Sequence, residues 1–155
     1  MSFLITGIIE DYIRLEPALA VMEPCVIYFS RTGNTKRAAE AIANALNASA
    51  LDISSSDLSA ANRCDVLIIG TPVEGFKPAK ETLMHLERLP NAEGKKVILF
   101  CTYALYKGSV FKTMEKTLSA KGYSIIGDAC KKGMKPDKPA DFTELITQIK
   151  KALPA

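Results

Sequence analysis

Apolar positions along this chain fall into short unbroken runs, separated by longer stretches in which they recur every three or four residues. The runs lie within 25–29, 65–70 and 96–101, with a weaker strand at 48–53 and a last strand over 123–128. Unbroken runs of that length read as strands buried on both faces. Between them, Ala38, Ala39, Ile42, Ala43 and Leu46 share one face of a predicted helix over 35–47. A second helix over 79–89 is opened by Pro78 and stops before Pro90. A third over 109–121 sets Val110, Met114 and Leu118 on one side and ends at Gly122. The last, over 141–153, starts from Asp141 as N-cap and turns Leu145, Ile146 and Ile149 inward. Residues 54–62 are polar and read as a loop with a turn of helix.

This alternation predicts an α/β fold: a doubly wound five-stranded parallel sheet in the order 2-1-3-4-5, with helices on both faces. Ligands of such sheets sit beyond the carboxyl ends of the strands, at the switch point beside the first strand.

With 155 residues and 48% hydrophobic content, the chain has the size of one domain and can bury a core without disulfides. Residues 25–155 are expected to form that domain. Residues 1–24 would be an N-terminal extension in which Ile8, Tyr12, Ile13 and Leu15 share a helical face. Met22 also reads as a natural start, so the extension could be a mis-assigned beginning. No apolar run approaches the roughly 18 residues of a membrane helix. The first residues lack the basic start of a secretory signal, so a cytoplasmic location is expected.

Four cysteines, Cys25, Cys64, Cys101 and Cys130, are far apart in sequence. Their spacing suggests neither a zinc site nor a redox dithiol. They read as small apolar residues, with Cys101 set apart because it ends a strand facing the ligand side. Net charge is +3, and Lys131, Lys132, Lys135 and Lys138 cluster late in the chain. That run reads as a solvated loop. Without a stronger basic face interleaved with aromatics, nucleic acid is not an expected partner.

The chemistry is concentrated where the first run meets the first helix. There the chain reads Ser30-Arg31-Thr32-Gly33-Asn34-Thr35. Backbone N–H groups at a helix N-terminus lack partners and carry partial positive charge, which suits a phosphate. Hydroxyls and an amide supply further donors, and Gly33 permits a close approach or a positive φ. The string is neither G-x-x-x-x-G-K-[ST] nor G-x-G-x-x-G.

Coming after VIYF, SRTGNT resembles the FMN-phosphate loop of the flavodoxin family, whose pattern is [ST]-x-T-G-N-T. The resemblance extends over 25 to about 153. It implies a flavodoxin-like fold and a non-covalently bound FMN. By position, it assigns Thr71, Pro72, Val73, Gly75 and Phe76 to a loop flanking one face of the flavin ring. Phe76 is the aromatic there, and Val73 the aliphatic alternative. Gly75 or a neighbouring peptide would turn a carbonyl to the ring nitrogen that is protonated on reduction. The loop after the fourth strand would contribute Thr102, Tyr103, Tyr106, Lys107 and Gly108, with Tyr103 or Tyr106 stacked on the ring.

The family implies a carrier that shuttles electrons between a reductase and an acceptor protein, as a monomer or weak dimer. The alternative is an FMN-dependent NAD(P)H:quinone or porphyrinogen-type oxidoreductase of the same fold. The basic balance departs from the acidic carriers of the family. Arg31, Lys77 and Lys107 near the expected site would favour reduced flavin. The sole histidine, His85, falls within predicted helix 79–89 and has no catalytic role in this reading.

Overall fold

The computed structural model describes residues 23–54 and 58–154. Five parallel strands are β1 (Pro24–Tyr28), β2 (Ala50–Asp52), β3 (Val66–Glu74), β5 (Lys96–Tyr103) and β6 (Ser124–Lys132). They lie in the order β2-β1-β3-β5-β6, which is the predicted doubly wound order. A sixth strand of two residues, β4 (Lys77–Pro78), pairs antiparallel with the end of β3. The helices are α1 (Asn34–Leu46), α2 (Lys80–Arg88), α3 (Val110–Ala120) and α4 (Thr143–Ala152). A short 3-10 turn, Leu58–Arg63, precedes β3. The expected helical face within 1–24 lies outside the described residues, apart from Glu23 and Pro24.

Alternate residues of each strand feed two cores. Val26, Ile68, Ile98 and Phe100 face Ala38 and Ile42 of α1 and Leu145 and Ile149 of α4. Ile27, Leu67, Ile69 and Leu99 face Leu86 of α2 and Met114 and Leu118 of α3. Each of these Leu and Ile side chains contributes roughly 1.5–3 kcal/mol when fully buried. Because both faces of the sheet are covered, the strands had to read as continuous apolar runs.

Two strands run further than their apolar runs. β3 continues through Thr71-Pro72-Val73-Glu74 and folds back on β4. Proline is tolerated there because β1 has ended opposite Gly70, leaving β3 with one parallel neighbour. The reversal uses Gly75 and Phe76, both at positive φ (59° and 67°), the geometry of a tight hairpin turn. β6 continues through Ala129, Cys130, Lys131 and Lys132 along the sheet edge, where lysines are compatible with a strand.

The free-thiol reading of Cys25 and Cys64 is corrected. The two are joined in a disulfide. Cys25 lies in β1, Cys64 just before β3, and the two strands pair directly. Asp65 N–H donates to the Glu23 carbonyl (2.9 Å), and Glu23 N–H donates to Asp65 Oδ2 (3.0 Å). Those bonds hold the two segments together, a proximity that a sequence separation of 39 conceals.

Candidate functional site

α1 begins without a side-chain cap. Its N-cap position is Gly33, at φ 97°, a left-handed conformation that a side chain would strain. Gly33 N–H donates to Ser30 Oγ (3.1 Å), which closes the turn, and Arg37 N–H is the first to reach back, to the Gly33 carbonyl (3.0 Å). The N–H groups of the opening turn are therefore left for a ligand. Beside them Asn34 Oδ1 is a buried acceptor with no hydrogen-bond partner.

This terminus opens into a groove of about 220 Å³ at the carboxyl ends of β1, β3 and β5. Arg31, Thr32 and Asn34 form one wall. Pro72, Val73 and Glu74 form another, and Thr102, Tyr103 and Ala104 a third. Met134 closes the rim. Asn34 Nδ2 donates to the Met134 carbonyl (3.3 Å), while Arg37 donates to the carbonyls of Lys135 (3.1 Å) and Lys138 (2.6 Å). The lysine-rich segment after β6 is thus tied to α1 through its backbone. A larger hollow, about 490 Å³, lies at the strands' amino ends around Arg63, Asp65 and Lys95. Helix N-termini point away from that end in a βα unit, so of the two the smaller groove is the one beside unpaired helix N–H groups, which could hold an anion.

The remaining expected residues have other neighbours. Thr35 is buried, and its Oγ1 shares a 2.7 Å hydrogen bond with Thr102 Oγ1 beneath the groove. Thr71 Oγ1 accepts from Ala79 N–H (3.2 Å) and pairs with Thr82 Oγ1 (2.8 Å), anchoring the start of α2. Gly75 and Phe76 form the hairpin tip. The Phe76 ring faces Tyr106, with centroids 6.3 Å apart, and Phe76 packs over Gly108. Lys107 turns towards Cys130. Phe76, Tyr106, Lys107 and Gly108 therefore form an exposed rim, and Val73 and Tyr103 are the side chains on the groove itself. Glu74, Ala104 and Met134 were missed from sequence. Glu74 was hidden in a segment read as a loop, and Met134 in a lysine run read as solvated.

Arg31 also requires correction. Its guanidinium is held by Glu74 (2.6 and 3.0 Å) and Glu81 (2.6 Å), and it lies 5.0 Å from the Phe29 ring centroid. Those bonds push its pKa further up, and Glu81 is held below its ordinary value by its own backbone hydrogen bond and by Arg31. Two carboxylates outnumber the one guanidinium, so Arg31 is not a free cation favouring reduced flavin. It ties the loop after β1 to the β3–β4 hairpin and α2.

A doubly wound sheet with an uncapped helix terminus at its switch point defines a mononucleotide-binding α/β protein. The sequence comparisons narrow that class. A family model described as "Flavodoxin domain" matches residues 25–153. The flavodoxin of Megasphaera elsdenii is 28% identical over 135 residues, covering 82% of this chain and 98% of that protein. Among solved structures, a flavodoxin of Streptococcus pneumoniae superposes with TM-score 0.64 at 18% identity, covering 83% of this chain and 93% of that one. A flavoprotein from Lactobacillus acidophilus, solved in complex with FMN, gives TM-score 0.59 at 20% identity over 71% of this chain and 93% of its own. The chain belongs to the flavodoxin family, FMN-binding proteins of electron transfer.

Proposed function

We propose that this protein is an electron carrier that exchanges electrons between a reductase and an acceptor protein through FMN held in the groove. The observation that carries the reading is the open N-terminus of α1, with Asn34 Oδ1 buried and unpartnered beside it. That donor set suits the phosphate, and an unpaired buried acceptor suits a hydroxyl of the ribityl chain. Ser30, Thr32 and Gly33 complete the socket. Val73 and Tyr103 would enclose the ring, and the Gly75 peptide, at the hairpin tip, would accept a hydrogen bond from it. Thr35 and Thr71 would support these walls from beneath. When bound, the flavin supplies one-electron chemistry; the chain binds it, orients it and shields it from water.

A carrier is favoured over a stand-alone oxidoreductase by the groove's residues. Its ionisable walls, Arg31 and Glu74, are paired with each other. His85 lies in the last turn of α2, away from the groove. Lys131, Lys132, Lys135 and Lys138 beside the groove would steer an acidic partner. No helix among the described residues is long and apolar enough to cross a membrane, and a cytoplasmic monomer or weak dimer fits the reading.

A redox titration of the FMN-loaded protein tests it. Two well-separated one-electron steps are expected, with negligible NAD(P)H oxidation by the protein alone when a quinone is supplied. Rapid turnover under those conditions would overturn the carrier reading.

A further inference from the structure

Cys101 of β5 lies opposite Cys130 of β6 in the parallel ladder. Paired positions project to the same face, and both side chains pack into the core beneath α3. Neighbouring strands run about 4.8 Å apart, within the roughly 4.4–6.8 Å that disulfides span between Cα atoms. Both cysteines are free thiols; Cys101 is fully buried and Cys130 half-buried. Lys107, an exposed residue, reaches in from the loop after β5 with its Nζ 3.8 Å from Cys130 Sγ. The spacing of these cysteines in sequence gave no sign of this pair.

We propose that Cys101, Cys130 and Lys107 form a peroxide-responsive thiol pair, in which Cys130 is oxidised first and Cys101 closes a reversible disulfide between β5 and β6. The Cys130 thiolate attacks the outer oxygen of a hydroperoxide. The O–O bond breaks, an S–O bond forms, and the departing alkoxide or hydroxide takes a proton from the Lys107 ammonium or from solvent. Sulfur loses two electrons to give a sulfenic acid, and the peroxide is reduced to an alcohol or water. Cys101 then attacks that sulfur. The S–S bond forms as the S–O bond breaks, and hydroxide leaves with the Cys101 proton as water. A dithiol reductant restores both thiols by supplying two electrons and two protons.

The surroundings assign the order of events. Cys130 is the accessible sulfur, and its thiolate is favoured by Cys101 and by the Lys107 ammonium, against burial and Asp128. Cys101 is held protonated by its neighbour and by burial. The elements packed above them contribute apolar groups, Val110 and Met114 among them. The chemistry requires no flavin, so its failure would leave the FMN reading untouched.

The test is hydrogen peroxide added to the full protein, followed by alkylation and peptide mass spectrometry. A Cys101–Cys130 cross-link, lighter by two hydrogens and reopened by dithiothreitol, is expected. Cys101→Ser should stop at a sulfenic acid on Cys130 that a dimedone probe traps. Lys107→Met should slow oxidation about tenfold at neutral pH and move the midpoint of the pH–rate profile upward, with Lys107→Arg restoring most of the rate. An unmodified Cys130, cross-links only between molecules, or an unchanged profile in Lys107→Met would overturn the proposal. Far-ultraviolet circular dichroism of each variant separates these outcomes from misfolding.

Discussion

The sheet carries a pair of cysteines at each end, and the two pairs differ in what surrounds them. At the amino end Cys25 and Cys64 are bonded to each other, among reciprocal hydrogen bonds between residues 23 and 65. At the carboxyl end Cys101 and Cys130 face each other as thiols, with a lysine against one sulfur. The amino end is also where βα units place no helix N-termini. The carboxyl end gathers the open start of α1, the unpartnered Asn34 oxygen and the rim loops. The amino-end pair is bonded within the fold, whereas the carboxyl end, besides its own anchoring bonds, keeps an open helix start and an unpartnered acceptor.

The largest expected effect breaks the amino end alone. Cys25→Ser with Cys64→Ser releases a 39-residue loop in the unfolded chain, and urea unfolding should show a loss of about 3–4 kcal/mol. FMN affinity should stay within about twofold, because sites this far apart act additively. A parallel loss of affinity would show that the two ends are coupled.

Gly33→Val attacks the carboxyl end. A β-branched residue at φ 97° costs about 1–3 kcal/mol, and the turn it distorts is the proposed phosphate socket. FMN retention, followed by flavin fluorescence on dilution, should fall about tenfold or more, the equivalent of 1.4 kcal/mol. Full retention would sink the phosphate assignment.

Thr35→Val leaves the Thr102 hydroxyl buried without its partner and should cost about 1–2 kcal/mol. Adding Thr102→Val should recover much of that loss, since apolar groups of similar shape then face each other. Additive losses in a double-mutant cycle would show that the bond does not join α1 to β5.

The smallest effect appears in acid. Asp141 Oδ1 accepts from Thr143 Oγ1 (2.6 Å) and Thr143 N–H (2.9 Å) at the start of α4, holding its carboxyl below the ordinary 3.8. A depressed folded pKa means that this stabilisation is complete above 3.8 and lost as pH falls through the lower folded value. Melting temperatures of Asp141→Asn and the parent should therefore converge below that point and separate modestly at neutral pH.

The order of strands and the start of the first helix were legible because both rest on local signals. Val26 to Phe29, Val66 to Ile69 and Val97 to Cys101 are unbroken apolar runs, as a sheet covered on both faces requires. SRTGNT stands directly before the alanine-rich helix. What escaped depends on partners distant in sequence. β3 continues through Pro72 because its neighbour has ended, and the turn after it uses Gly-Phe where Asn-Gly would have announced a hairpin. Lys131 and Lys132 sit in an edge strand, where solvent tolerates their charge. Arg31 read as a free cation because Glu74 and Glu81 reach it only after two loops and a helix are assembled. The two cysteine pairs follow from strand adjacency, which spacing does not encode. Asp141 was read as the N-cap itself; the helix opens two residues later, although its carboxylate still bonds the first turn.

Phe76 stands 56% exposed at φ 67°, a conformation that few residues other than glycine adopt comfortably. Replacing it with glycine should relax the turn and raise stability by about 0.5–1 kcal/mol, while removing the aromatic from the rim. A collection of variants screened for heat resistance would therefore enrich changes at this position. One screened for FMN retention would show whether the ring at the hairpin tip, set against Tyr106, matters to the site at all.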